Sequence, residues 1–101
     1  MKPVVLAERV AEDFVRIFRH RAKWSSLDAA ERAVGALEAE CLVLTPRCGM
    51  PWSSVRRKRL RDGYLVFFTE MPDALLVVAV FHEREDWTAL LVRRLAKPDP
   101  A

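Results

Sequence analysis

Five of the six residues from Arg56 to Arg61 are basic: Arg56, Arg57, Lys58, Arg59 and Arg61. In a strand alternate side chains share a face, so Arg57, Arg59 and Arg61 are expected to project together and Arg56 and Lys58 to project oppositely. Guanidinium forks suit two tasks, contacting phosphates and docking onto an acidic protein surface. The structural alternative is a solvated edge strand whose charges block sheet-to-sheet aggregation. Three arginines on one face favour the binding role. A second polar cluster, His82-Glu83-Arg84-Glu85-Asp86, closes the most apolar stretch of the chain. Metal-free RNA cleavage needs a base for the 2′-hydroxyl, a cation for the phosphate and an acid for the leaving oxygen. His82 can serve as base or acid, with Arg59 and Arg84 as the cations. The reading we favour for this rim is structural: His82 caps a strand through a backbone bond, and Arg84 pairs with Glu83, Glu85 or Asp86. Tyr64 offers a phenol beside the basic strand, although buried aromatic packing suits it better. Trp52, in a loop after Pro51, is read as an exposed interface anchor.

These residues need a scaffold, and the hydrophobic pattern supplies one. Pro3 to Leu6 reads as a short strand with the proline at an edge. Leu6, Val10, Phe14, Ile17 and Phe18 form one helical stripe, with Glu8, Arg9, Glu12, Asp13, Arg16 and Arg19 outward, which predicts a helix over 7–21. Ser25 or Ser26 suits an N-cap for a second helix over 27–44, seamed by Ala30, Val34, Leu37, Cys41 and Leu44. Trp24 is placed as an anchor between the two helices. Pro46 closes the second helix, and Pro46, Gly49 and Pro51 mark a loop over 45–53. A basic strand over 55–61, a two-residue Asp62-Gly63 turn and a strand over 64–69 follow. After a turn at Met71-Pro72-Asp73, the stretch 74–81 is apolar on both faces, as a central strand is. Asp86 can cap a last helix over 87–95, with Trp87, Leu90, Leu91 and Leu95 inward. Lys97-Pro98-Asp99-Pro100 reads as a frayed tail.

The order β-α-α-β-β-β plus a short C-terminal helix implies an α+β fold, two helices on one face of a small, mostly antiparallel sheet. The opposite sheet face then needs a cover: a partner, a second copy or the terminal helix. At 101 residues the chain is the length of one domain. A net charge of +3 is mild, so the basic run is a local patch rather than a nucleic-acid-coating surface. Cys41, Cys48, His20 and His82 lack the spacing of a metal site, and no cofactor is implied. Two cysteines do not make a disulfide framework, and Cys41 fits the seam as a core residue. Charge enters by Glu8, too early for a secretory apolar segment, and the run 74–81 is too short to span a bilayer. A cytoplasmic protein without membrane contact is expected.

Four segments together carry a resemblance. VVLAERVAEDF resembles the first strand and helix of the ParE/RelE toxin superfamily of type II toxin–antitoxin systems. TPRCGMP is similar to the connection after that family's second helix. RLRDGYLVFF resembles its Arg-apolar-x-x-Gly-Tyr hairpin, and LLVVAVFHEREDW its last strand with a His-x-Arg-x-Asp ending. Their order and spacing run over about ninety residues. The ending His82-x-Arg84-x-Asp86 is closer to the ParE-like branch, whose members poison DNA gyrase. RelE-like members instead cut mRNA on the ribosome. The resemblance implies a toxin with a RelE/ParE-like fold, a plasmid-stabilising role, a cognate antitoxin as partner, and a homodimer or toxin–antitoxin hetero-oligomer as assembly. It singles out Arg59, which matches the arginine before the hairpin. Target or antitoxin binding falls to Arg56, Arg57, Lys58, Arg59, Arg61 and Trp52. Under the RelE-like alternative, with ribosome and mRNA as partners, Arg59, His82 and Arg84 are the catalytic candidates. Phe68 and Thr69 depart from the tyrosine and basic residue usual there.

Overall fold

The computed structural model describes residues 2–96. The tail Lys97-Pro98-Asp99-Pro100, expected to fray, lies outside the described residues. In chain order come β1 (Val4–Leu6), α1 (Glu8–Trp24), α2 (Leu27–Leu42), β2 (Met50–Trp52), β3 (Val55–Arg59), β4 (Tyr64–Glu70), β5 (Leu75–His82) and α3 (Trp87–Ala96). The sheet order is β1-β5-β4-β3-β2. The β1–β5 pair is parallel and the other pairs are antiparallel. This is the expected α+β arrangement with one strand more. β2 falls in the stretch read as a loop, because Gly49 and Pro51 look like breakers. As an edge strand it tolerates Pro51, whose missing N–H is not needed on the solvent side.

The helical hairpin follows from its stripes. Val10, Phe14 and Ile17 of α1 are buried, as are Ala30, Leu37 and Cys41 of α2. Ser26 caps α2: its Oγ accepts from the Ala29 N–H at 3.1 Å. The helix stops at Leu42, short of the expected Leu44, yet Leu44 still buries itself under the sheet side of the hairpin. Trp24 does not anchor the helices. It ends α1 at the tip of the hairpin, about two turns beyond Ile17, and is 75% exposed. Gly35 sits exposed in α2 with no atom within 4 Å of a hypothetical Cβ. Gly35→Ala is therefore expected to stabilise the fold by roughly 0.5–1 kcal/mol, through helix propensity alone; a thermal melt that moves downward would contradict this.

The sheet has a core on each face. Toward α1 and α2 lie Tyr64, Val66, Phe68, Leu75, Val77 and Val80. Toward α3 lie Val55, Leu65, Phe67, Ala79 and Phe81, packed with Leu91, Trp87, Leu90 and Leu95. The terminal helix thus supplies the cover for the second face. A bulge makes the division possible. Phe67 pairs with Ala79 but Phe68 with Val77, leaving Val78 as the extra residue. One inserted residue exchanges the two faces of everything after it. Leu75 and Val77 face the helical hairpin before the bulge, Val80 does so after it, and Phe81 turns to α3.

Candidate functional site

The basic run leaves its strand early. β3 ends at Arg59, and a three-residue 3₁₀ turn, Arg61–Gly63, leads to β4. Leu60 N–H donates to Tyr64 O at 2.7 Å, closing a loop one residue longer than the expected turn. Asp62 and Gly63 both take positive φ, 58° and 80°, so the chain turns back through left-handed geometry that glycine and aspartate tolerate. The three arginines expected together are thereby divided. Arg57 and Arg59 keep the α3 side, whereas Arg61 turns to α2 and pairs with Glu40 at 3.3 Å.

Each cation has its own setting. Arg56 donates to the carbonyls of Arg47, Cys48 and Gly49 at 3.1, 2.9 and 3.0 Å, so it ties the loop before β2 to β3. The Arg57 guanidinium lies 5.3 Å from the Trp87 ring centre and meets Met50 Sδ at 3.0 Å. Arg59 donates from Nε and Nη2 to both oxygens of Glu83, each at 3.2 Å. Lys58 lines the same shallow cleft as Arg57 and Arg59. Trp52 is half-buried, its ring edge-on to Trp87 at 5.7 Å. The exposed anchor expected there is instead a wall of the α3 core, because the unexpected strand β2 carries it onto the sheet.

The rim after β5 is fully bonded at its histidine. His82 Nδ1 accepts from the Arg84 N–H at 3.1 Å. The proton therefore belongs on Nε2, which donates to Asp62 O at 2.9 Å. The ring also stands edge-on to Tyr64 at 4.8 Å. Glu85 accepts from the His82 N–H at 2.8 Å, capping the strand end. Arg84 forms no ion pair among the described residues, unlike the pairing expected for it. Tyr64 is buried, and that burial pushes its phenol pKa up, with Arg21 acting against the rise. Burial likewise pushes the Cys41 thiol up to about 12, which keeps it un-ionised. Both cysteines are free, and among the described residues no group of His, Cys, Asp and Glu is placed to hold a metal ion. The chemistry this face can perform is anion binding: an exposed Arg59 and a half-buried Arg57 beside an apolar, aromatic wall.

The most buried charge escapes the sequence pattern. Asp13, assigned to the outer face of α1, is completely buried. β1 pairs β5 only as far as Val77, so the next polar groups on that edge of β5 lack a strand partner. Side chains replace the strand. Asp13 Oδ2 accepts from Val80 N–H at 3.1 Å, Arg94 donates to Val78 O at 2.8 Å, and Arg16 donates to Val80 O at 3.2 Å. Arg94 also forks onto Asp13 at 2.8 and 3.0 Å, and Arg16 reaches it at 3.0 Å. Both guanidinium groups approach the Phe81 ring, at 5.5 Å for Arg16 and 5.3 Å for Arg94. A signal was present: Asp13 falls three residues after Val10 and four before Ile17, within the apolar stripe.

The same α1 segment, sheet and hairpin match a known family. A family model described as the ParE toxin of the type II toxin–antitoxin system parDE matches residues 4–87. The chain belongs to the ParE toxin family. That match ends at Trp87, the first residue of α3, so the Arg94 contact to Asp13 comes from outside the matched range. The solved structure titled the chromosomal ParDE toxin–antitoxin system from P. aeruginosa shares the fold, with a TM-score of 0.73. The match covers 81% of this ParE-family chain and 96% of that chain, at 17% identity. No curated protein matches the sequence. Among the described residues, no helix is long and apolar enough to cross a membrane.

Proposed function

We propose that this ParE-family protein is a growth-inhibiting toxin that acts in the cytoplasm by binding DNA gyrase, and that a cognate antitoxin neutralises it. The observation that carries the non-enzymatic reading is His82. Both ring nitrogens are engaged in main-chain hydrogen bonds, and the nearby Tyr64 phenol is buried with its pKa raised. With both ring nitrogens engaged by the main chain and the phenol buried, the arrangement supports binding over acid–base catalysis. What faces outward is a cationic edge, with Arg59 and Arg84 exposed and Arg57 and Lys58 half-buried. Such an edge suits an acidic protein surface or the phosphates beside it. The role in stabilising a plasmid or chromosomal locus would follow from toxin and antitoxin acting as a pair.

The test is supercoiling by gyrase with purified protein in stoichiometric excess. Loss of supercoiling with accumulation of cleaved DNA is the expected result. Arg59 is exposed, so Arg59→Ala is expected to melt like the parent while losing about thirtyfold in inhibition, as for an interface residue that carries much of the binding. Unchanged supercoiling would remove gyrase as the target. Cleavage of mRNA on programmed ribosomes that disappears in His82→Ala would replace the reading with a nuclease.

A further inference from the structure

The cleft beside β3 already holds an anion, and that anion is the protein's own. The cleft encloses about 330 Å³ and its lining includes Met50, Arg57, Lys58, Arg59, Glu83 and Trp87. Glu83 is set in place by the main chain. Its N–H donates to Gly63 O at 2.8 Å, and its carboxylate lies so close over Gly63 that a Cβ there would sit 2.7 Å from Oε1. From this perch both carboxylate oxygens accept from the Arg59 fork. The Arg59 hydrogen bond is the chief cause holding the Glu83 carboxyl below its ordinary range. Yet the pair is open to water, with the Arg59 side chain 66% and the Glu83 side chain 42% exposed. Exposed ion pairs add little to folding, so this one is easily exchanged.

We propose that Glu83 is a built-in stand-in for an acidic side chain of a protein partner, which displaces it from Arg59 on binding. The partner is an extended peptide segment that places a glutamate or aspartate on Arg59 and an apolar residue against Met50 and Trp87. Three observations select a peptide over a nucleic acid. The Arg59 fork already engages a carboxylate through two hydrogen bonds. Met50, on the edge strand β2, is 52% exposed and offers an apolar contact beside that fork. Two of the five cations of the run are turned to other work, Arg56 on loop carbonyls and Arg61 on Glu40, so no continuous track follows a phosphate backbone. This deepens the toxin reading by naming how a protein partner is held, and rests on it only for the expectation of such a partner.

The experiment is fluorescence anisotropy at low ionic strength with a short fluorescein-labelled peptide of alternating glutamate and leucine. Glu83→Gln removes the competing charge and is expected to tighten binding about three- to tenfold. Arg59→Ala is expected to abolish binding, and in that background Glu83→Gln is expected to change nothing. The proposal is overturned if Glu83→Gln binds equally or more weakly, or if it tightens binding without Arg59. It is also overturned if a single-stranded oligonucleotide binds more tightly than the peptide, since the cleft then reads phosphate. The assay involves neither gyrase nor growth. A protein that binds the peptide as expected but leaves supercoiling intact keeps this site and loses the proposed target; one that inhibits gyrase with Glu83→Gln indistinguishable from the parent does the reverse.

Discussion

Asp13→Ala is expected to lower the unfolding free energy by about 3–5 kcal/mol, a large share of what a domain this size possesses. The carboxylate is fully buried and is the common acceptor for Arg94, Arg16 and the Val80 N–H. Removing it takes a charged acceptor away from one largely buried guanidinium, one half-exposed guanidinium and a main-chain donor. Each such loss costs more than the pair contributed, because desolvation has already occurred. Arg94→Met is expected to cost less. Asp13 then keeps Arg16 and Val80, and the methionine stem retains much of the contact with Phe81. Urea denaturation of both variants, with the double mutant to complete the cycle, measures the coupling. A loss below about 1 kcal/mol for Asp13→Ala would mean that water satisfies the open edge of β5 as well as the side chains do. Because Arg94 lies on α3, the same experiment reports whether the terminal helix is held by charge as well as by Leu91 and Trp87.

Gly49→Ala carries the second large effect, expected at about 2–4 kcal/mol from left-handed strain plus overpacking. Gly49 has φ +72°, and an added Cβ would stand 2.4 Å from Arg57 O and 3.1 Å from Lys58 Cβ. The obstructing atom is main chain of the neighbouring strand, which cannot rotate away as a side-chain tip can. The β2–β3 pair must therefore shift where Met50 meets Arg57. Those two residues also line the acidic-peptide cleft, so binding is expected to fall in protein that remains folded. Denaturant melts and the anisotropy assay, run together below the melting transition, separate the two losses. A variant that melts within about 0.5 kcal/mol of the parent would show that the hairpin relaxes around the methyl group. Gly35→Ala serves as the opposite control, since there the new methyl group meets open space.

Much of the architecture was legible because its signals are local. The stripe of Val10, Phe14 and Ile17, the Ser26 cap and the two-faced apolar run of β5 each report on neighbours within a few residues. The terminal helix was legible too, with Trp87, Leu90, Leu91 and Leu95 at helical spacing. Its position over the second sheet face was one of three options that the pattern left open. The site was less legible. Alternation placed Arg61 beside Arg57 and Arg59, but the strand had already ended. Trp52 looked exposed because the strand that carries it is short and contains a proline. Glu83 was read as one of several partners for Arg84, and nothing local says that it reaches back to Arg59.

The sequence by itself determined the α+β order, the helical hairpin, the basic run, and enough of the hairpin and strand-end pattern to resemble the ParE/RelE superfamily. Tertiary structure alone decided three things. It buried Asp13, because only the short reach of β1 along β5 leaves main-chain groups that need a carboxylate and two guanidinium groups. It divided the apolar residues of β5 between two cores, because one inserted residue at Val78 reverses every face beyond it. And it placed Glu83 on Arg59, twenty-four residues away, because the Glu83 N–H bonds to Gly63 O at the turn that follows β3. Periodicity encodes which side a residue faces within its own element. Which element lies opposite, and which polar group there lacks a partner, is settled only when the strands pair.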